Sequence, residues 1–200
     1  MTVSFSQTPG AGSLYVQKSY SLRHQIAELG MIGDDQPYIS RSGLNNSGAV
    51  IPYGRLVSKD TTNGADPQAV KEYAGASDIL LGLSFLSEVN EKIVTAAQAP
   101  GFTYSATGGY PTGFAVNIIS QGNIYVAAAP SVAISIGDPV HYYFTGSNKG
   151  TFSNVGTANQ SVTLTQVRFL DAVAATAPDN NTARLIRLEI LHPGVGAVAD

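Results

Sequence analysis

The sequence predicts an all-β fold, a sandwich or partly open barrel with an extended N-terminal arm and at most two short helices. Three observations carry the prediction. Short runs of β-formers are separated by Gly, Pro and Asn signals about every 8–12 residues. The closing runs alternate apolar and polar positions, so one face is wet and one buried. Residues 1–48, in contrast, hold single hydrophobes in a Gly-, Ser-, Asn- and Gln-rich background. The expected organisation is an arm over 1–48, a β-domain over 49–192 and a short tail over 193–200.

Taken in order, the arm contains one stretch, 21–29, with room for two helical turns closed by Gly30. Phe5, Leu14, Tyr15, Tyr20 and Tyr38 are its isolated anchors, and an arm of this texture lies on another surface. "AVIPYGRLVSKD" predicts a strand over 50–58. "TTNGAD" predicts a turn at Asn63-Gly64. "DILLGLSFL" is a short apolar strand. In "SEVNEKIVTAAQAPG", Leu86, Val89, Ile93 and Ala97 fall near helical spacing behind Ser87, and helix and irregular strand both remain open. "GFAVNIIS-QG-NIYVAAA" predicts two strands joined by a hairpin at Gln121-Gly122. "SVAISIGDPVHYYFTGSNKGTFSNV" reads as strand, corner, strand, turn, strand. "SVTLTQVRFLDAVA" and "TARLIRLEILH" close the domain. In the last, Ile186, Leu188 and Ile190 alternate with Leu185, Arg187 and Glu189. A faint echo links 50–58, 78–86 and 113–120 with 135–143, 166–174 and 183–190. Duplication of a small β-module and chance alignment both account for it.

Composition narrows the function. Of the 200 residues, 44% are hydrophobic but only 12% are charged, against about 25% in an ordinary globular chain. That balance suits a surface covered by another protein, and extracellular β-domains share it. The 11 basic residues are scattered and the net charge is −3, which argues against a nucleic-acid partner. No run approaches the roughly 20 apolar residues of a membrane helix, and the start lacks a signal-peptide pattern. With no cysteine, disulfides, Cys-ligated zinc and thiol catalysis are excluded.

No motif for chemistry stands out, and no catalytic, cofactor-binding or metal-binding residue is expected. Gly137-Asp138-Pro139 is turn chemistry, and His141 just after it is one side chain on a strand face. His24, His141 and His192 lack the local spacing of a zinc pair. Asp34-Asp35 lacks the alternating oxygens of a calcium loop. "GSNKGT", residues 146–151, fails the phosphate-loop pattern and sits between strands. Asn45-Asn46-Ser47, Asn159-Gln160-Ser161 and Asn180-Asn181-Thr182 are formal glycosylation sequons. The chain has ten Tyr, seven Phe and no Trp. Tyr in "YVQKSYS", "QPYIS", "IPYG" and "GYPTG" suits either strand ends or interface anchoring.

The order of these elements resembles the capsid cement, or head decoration, proteins of tailed bacteriophages. The resemblance runs over residues 25–192. It is carried by "IPYGRLV" from Ile51 to Val57, by Leu80-Leu81-Gly82-Leu83, by Gly122 to Val126 with Ile134 to Tyr142, and by Arg168-Phe169-Leu170 with Leu185 to Ile190. The segment "EVNEKIVTAAQAPGFTYSATGG" is longer than the family pattern. The resemblance implies a small β-domain without catalytic residues on the outside of a phage head, in the virion after assembly in the host cytoplasm. Its expected partners are the major capsid protein, across subunit seams, and itself as a homo-oligomer (dimer or trimer). The interface residues expected are Phe5, Leu14, Tyr15, Tyr20 and Tyr38. Two rivals remain: a tail or baseplate β-domain gripping a host glycan, and a β-scaffold enzyme acting on polysaccharide. The first requires glycan affinity of the free protein. The second requires acids, His141 or a Tyr converging in a cleft.

Overall fold

The computed structural model describes residues 29–33, 37–62, 66–75, 77–86, 108–175, 184–191 and 197–199. They form eleven strands: β1 (Ile39–Asn45), β2 (Leu56–Lys59), β3 (Ala69–Glu72), β4 (Leu80–Ser84), β5 (Ala115–Ala128), β6 (Val140–Tyr143), β7 (Phe152–Ser153), β8 (Ser161–Leu164), β9 (Val167–Phe169), β10 (Arg184–Ile190) and β11 (Ala197–Ala199). The fold is all-β, and among the described residues there is no helix. Of the two segments expected to be helical, 21–28 and the bulk of the stretch after Leu86 lie outside the described residues.

The first half of the fold is a closed ring. β1 pairs with β3 in parallel, and β3–β2, β2–β4, β4–β5 and β5–β1 pair antiparallel. The sequence suggested a sandwich or a partly open barrel, whereas this five-strand barrel is complete, which removes free edges. β1 lies inside the segment assigned to the arm. Leu44 opposite Ala69 and Gly43 opposite Val116 make it a wall of the barrel instead. So narrow a ring leaves little room for side chains. Val57, Val70, Val116 and Ile118 pack there with Ile51, Tyr53 and Tyr110. A Cβ on Gly43 would lie 2.4 Å from Val70, and one on Gly82, at φ +150°, 2.2 Å from the Ile119 carbonyl oxygen.

The second half is a rolled sheet in the order β9, β10, β5, β7, β6, β8, β11. β8 and β9 are separated in this order by four strands, so a flat sheet would hold them roughly 24 Å apart. Thr165-Gln166 alone joins them, a link that reaches about 11 Å. The sheet therefore curls, and its concave face holds the larger core, including Tyr142, Phe152, Phe169, Ile186 and Leu188. On β10, Ile186, Leu188 and Ile190 are buried while the positions between are half-buried. The alternation expected from sequence is the one observed. β11, in the expected tail, pairs with β8.

β5 joins the two halves. The sequence suggested a hairpin at Gln121-Gly122, but the strand runs unbroken for 14 residues. Residues 115–121 pair with β1, and 122–128 pair with β10. Between Ile39 and Ser40 the partner changes from Gln121 to Ile119, leaving Ser120 as the extra residue of a bulge. One inserted residue exchanges the faces of everything beyond it. That exchange places Ile119 before the bulge and Ile124 and Val126 after it in the same large core. Gly122, at φ +122°, also clears space for Tyr38, whose Cβ would lie 2.7 Å from a Cβ there. Residues 30–33 run along β5, with the Gly30 N–H donating to the Tyr125 carbonyl at 2.8 Å and the Gly33 N–H to that of Asn123 at 2.9 Å.

The internal echo does not extend to topology. In the first set, β2, β4 and β5 are successive neighbours, whereas in the second β9 pairs with β10 and β6 lies elsewhere in the sheet.

Candidate functional site

The residues singled out for chemistry are occupied in holding the fold. Residues 135–138 make a tight turn with Gly137 at φ +88°. The Asp138 N–H donates to the Ser135 carbonyl at 3.2 Å. The Asp138 carboxylate accepts from the Ser135 N–H at 2.8 Å and from Asn154 Nδ2 at 2.6 Å. His141 is half-buried on β6, between Ser153 and Thr163, with Nδ1 3.1 Å from Thr163 Oγ1. His24, His192 and Asp34-Asp35 lie outside the described residues. Among the described residues, no group of three or more His, Asp or Glu side chains is placed to hold a metal ion.

"GSNKGT" is the β6–β7 hairpin, closed by the Gly150 N–H donating to the Tyr143 carbonyl at 2.6 Å. Arg55, from the ring, lies across Gly150: a Cβ there would fall 0.4 Å from its Nη1. Arg55 donates to the Lys149 carbonyl at 2.9 Å, and Lys149 Nζ lies 3.1 Å from Glu72. The glycine that resembles part of a phosphate loop thus admits a guanidinium that ties ring to rolled sheet. Asn45, the first sequon asparagine, is fully buried; it donates to the Ala49 and Tyr110 carbonyls and accepts from Ser47. It is inaccessible to modification.

The tyrosines divide between buried and exposed positions. Tyr53 of "IPYG" and Tyr110 of "GYPTG" are core residues, stacked edge-to-face at 5.2 Å. Tyr110 also donates its hydroxyl to the Phe85 carbonyl. Tyr38 of "QPYIS" is 47% exposed and meets Phe85 edge-on at 6.1 Å. Of the five expected interface residues it is the one within the described structure. Phe5, Leu14, Tyr15 and Tyr20 lie outside it.

The described surface carries two groupings of exposed apolar side chains. At the waist, exposed Tyr38 and Ile39 lie along the edge of β5 that pairs with β1, while exposed Leu191 follows Ile190, which pairs with Gly122 from the opposite edge. At the end of the rolled sheet, Ile136 and Val155 flank the Asp138–Asn154 hydrogen bond. Sequence reading missed Ile136 because it sits in a string already explained as a corner. Its signal was a large β-branched residue where turns favour Gly, Pro, Asn, Asp or Ser. Apolar anchors of this kind suit protein–protein contact.

Comparison with known proteins places these features. The family model for structural cement protein (E217 gp24/Pam3 gp6) matches residues 16–189. Among solved structures, a chain from the capsid of Myoviridae phage XM1 superposes with a TM-score of 0.60 at 16% identity, over 90% of this chain and 99% of that one. At that identity the likeness speaks to the fold. No curated protein matches the sequence.

Proposed function

The chain belongs to the phage structural cement protein family, and on that premise we propose how it holds a head together. It is a structural capsid protein that stabilises the phage head. In our reading it binds the outer face of the shell, across seams between major capsid subunits, as a homo-oligomer and without catalysis or a nucleic-acid partner. The observation that carries this is the family match, which spans both the ring and the rolled sheet.

The mechanism is adhesion. Apolar area removed from water contributes about 25 cal/mol per Å², and the net gain per copy is reduced by association costs. A protein that touches two or three subunits at once raises the effective concentration of each further contact, so assembled shells bind it while isolated subunits bind weakly. Phe5, Leu14, Tyr15 and Tyr20 act as anchors of an arm laid on a neighbouring subunit, and exposed Tyr38, beside β1, adds a contact from the barrel itself. Low overall charge fits a surface that is largely covered.

The test compares purified particles with and without the protein, heated side by side while released DNA is monitored. Undecorated particles are expected to release DNA at a lower temperature. Coincident release curves, with no copy of the protein on the shell in particle images, would overturn the reading.

A further inference from the structure

β1 differs from the other strands in its surroundings. Residues 39–42 are all exposed, although successive side chains of a strand point to opposite faces. No other strand whose burial is described has two exposed residues in a row. Neither face of this stretch is therefore packed against the fold. One edge is open as well. The ring closes on β1 at Leu44 and Asn45, opposite Ala69 and Val70 of β3, and residues 39–43 run past that contact paired with β5 alone. The Leu44 N–H donates to the Gln68 carbonyl on the β3 side at 2.9 Å, and the Asn45 N–H to the Phe114 carbonyl on the β5 side at 2.9 Å. Backbone groups of successive residues face opposite edges, so Ser40 and Ser42 share the outward direction of Leu44. Ile39, of the other parity, accepts from Ser120 Oγ of β5 at 3.2 Å. Among the described residues, nothing pairs with the outward N–H and C=O of Ser40 and Ser42.

Open edges are ordinarily guarded by proline, a bulge or a charge. Here no proline lies within β1, and the bulge is on β5. Arg41 is the charge, and it is turned away. β1 and β4 both pair with Ile118 and Ile119, so they flank β5 on opposite edges. Arg41 Nη2 reaches the Leu81 carbonyl of β4 at 2.6 Å, across β5 and away from the outer edge. What such an edge accepts is another extended strand. A second copy meets that requirement in one register. Antiparallel pairing about a two-fold axis centred on Arg41 would oppose two like charges. Centring on Ser42 would set Ser40 opposite Leu44, whose outer side β3 already holds. Centring on Ser40 lets that residue exchange both backbone hydrogen bonds with its own copy. It also sets Ile39 beside the Arg41 stem and Tyr38 beside Ser42. The exposed apolar pair at this edge, Tyr38 and Ile39, is then covered.

We propose that the outer edge of β1 is a dimerisation site, at which residues 38–42 of two copies pair antiparallel about a two-fold axis at Ser40 and join two ring walls into one sheet. This deepens the homo-oligomer part of the cement reading, on which its use at the phage head rests.

The chain has no cysteine, so one introduced thiol reports the register. The experiment compares Ser40→Cys with Ser42→Cys as free full-length proteins under oxidising conditions. Across the proposed axis the two copies of residue 40 lie about 5.5 Å apart between Cα atoms, within reach of a disulfide. The two copies of residue 42 lie about 14 Å apart, beyond it. Ser40→Cys is expected to form a covalent dimer and Ser42→Cys is not. Sedimentation of the wild type is expected to show a concentration-dependent dimer. Ser42→Pro, which removes an outward N–H at an edge that tolerates proline, is expected to weaken that dimer at least ~10-fold with an unchanged far-ultraviolet circular dichroism spectrum. Where Ser42→Pro fails to fold, the cysteine pair decides. A wild type that stays monomeric or sediments as a trimer overturns the proposal, as does equal cross-linking of the two cysteine variants. A thiol at residue 40 that cross-links to the shell subunit on decorated particles, and not to its own copy, assigns the edge to the shell and also overturns it. Each of these failures leaves the cement reading standing, because the DNA-release comparison tests that separately.

Discussion

The ring and the rolled sheet share one strand yet are filled in opposite ways. The ring is closed around Val57, Val70, Val116 and Ile118, with Gly43 and Gly82 where its strands approach most closely. The rolled sheet encloses large side chains: Tyr142 and Phe152 lie 5.0 Å apart, and Tyr73 meets Tyr142 and Phe144 edge-on. Closing five strands fixes the interior volume, so space is the scarce quantity in the ring. Curling a wider sheet leaves a volume that must be filled, so contact is the scarce quantity there. The two regions should accordingly fail by opposite mutations, the ring by adding atoms and the rolled sheet by removing them.

The largest effect is expected from Gly82→Val. Its Cβ would stand 2.2 Å from the Ile119 carbonyl oxygen and 2.9 Å from Ile118 Cγ2, at a φ of +150° that L residues rarely adopt. Since the obstacle is backbone of the shared strand, no side-chain shift relieves it. The variant should lose more than roughly 4 kcal/mol, read as loss of soluble folded protein. Gly48→Ala is the matched control: φ is +75° but nothing lies within 4 Å, so about 1 kcal/mol is expected. Equal stability of the two variants by denaturant unfolding would break the space argument. Next comes Phe152→Ala. This fully buried ring spans the junction of β5 and β6, and its truncation should cost about 3–5 kcal/mol. A loss under about 1 kcal/mol would mean that the rolled sheet collapses to refill the space.

The same contrast explains what could be read from sequence. β10 was legible because its alternation records one wet and one buried face, and Gly137-Asp138-Pro139 because its residues have few uses besides a corner. β1 was not. Its first four residues are exposed and its apolar positions are few, because its place is fixed by backbone pairing in a closed ring. Such pairing leaves no stripe in the sequence. β5 was misread because Gln121-Gly122 carries the local chemistry of a hairpin, and only the partners on either side of the bulge show that the strand continues. Arg184, the first residue of β10, is buried and donates to the carbonyls of Ala129, Val132 and Ala174. Nothing local announces those three distant acceptors. Of the exposed apolar residues, Tyr38 was legible as an isolated aromatic, whereas Ile136 was absorbed into its turn.

The smallest effect sharpens the comparison at the seam. Tyr142 of the rolled sheet is buried and donates its hydroxyl to Glu72 of the ring at a long 3.4 Å. Burial first, and then the Glu72 charge, push its pKa above the ordinary value of 10. Tyr73 is raised too, by burial and by Asp78. Above about pH 10 the unfolded chain releases these protons while the folded chain keeps them. The unfolded state then binds fewer protons, and stability falls as pH rises, by about 1.4 kcal/mol per pH unit for each such tyrosine. Below pH 10 the contribution is fully present. Tyr142→Phe removes one of these protons and one weak hydrogen bond. At pH 8 it should therefore be less stable than wild type by about 0.5–1 kcal/mol. The deficit should shrink above pH 10 and reverse by roughly pH 11, as one tyrosine's share of the alkaline slope is lost. Urea unfolding of both proteins from pH 8 to 11 measures the crossing. Parallel curves over that range would mean that Tyr142 ionises as readily in the folded protein as in the unfolded one. The seam would then be wet, and the two regions would be joined through β5 and their shared apolar core without a dry polar contact at this point.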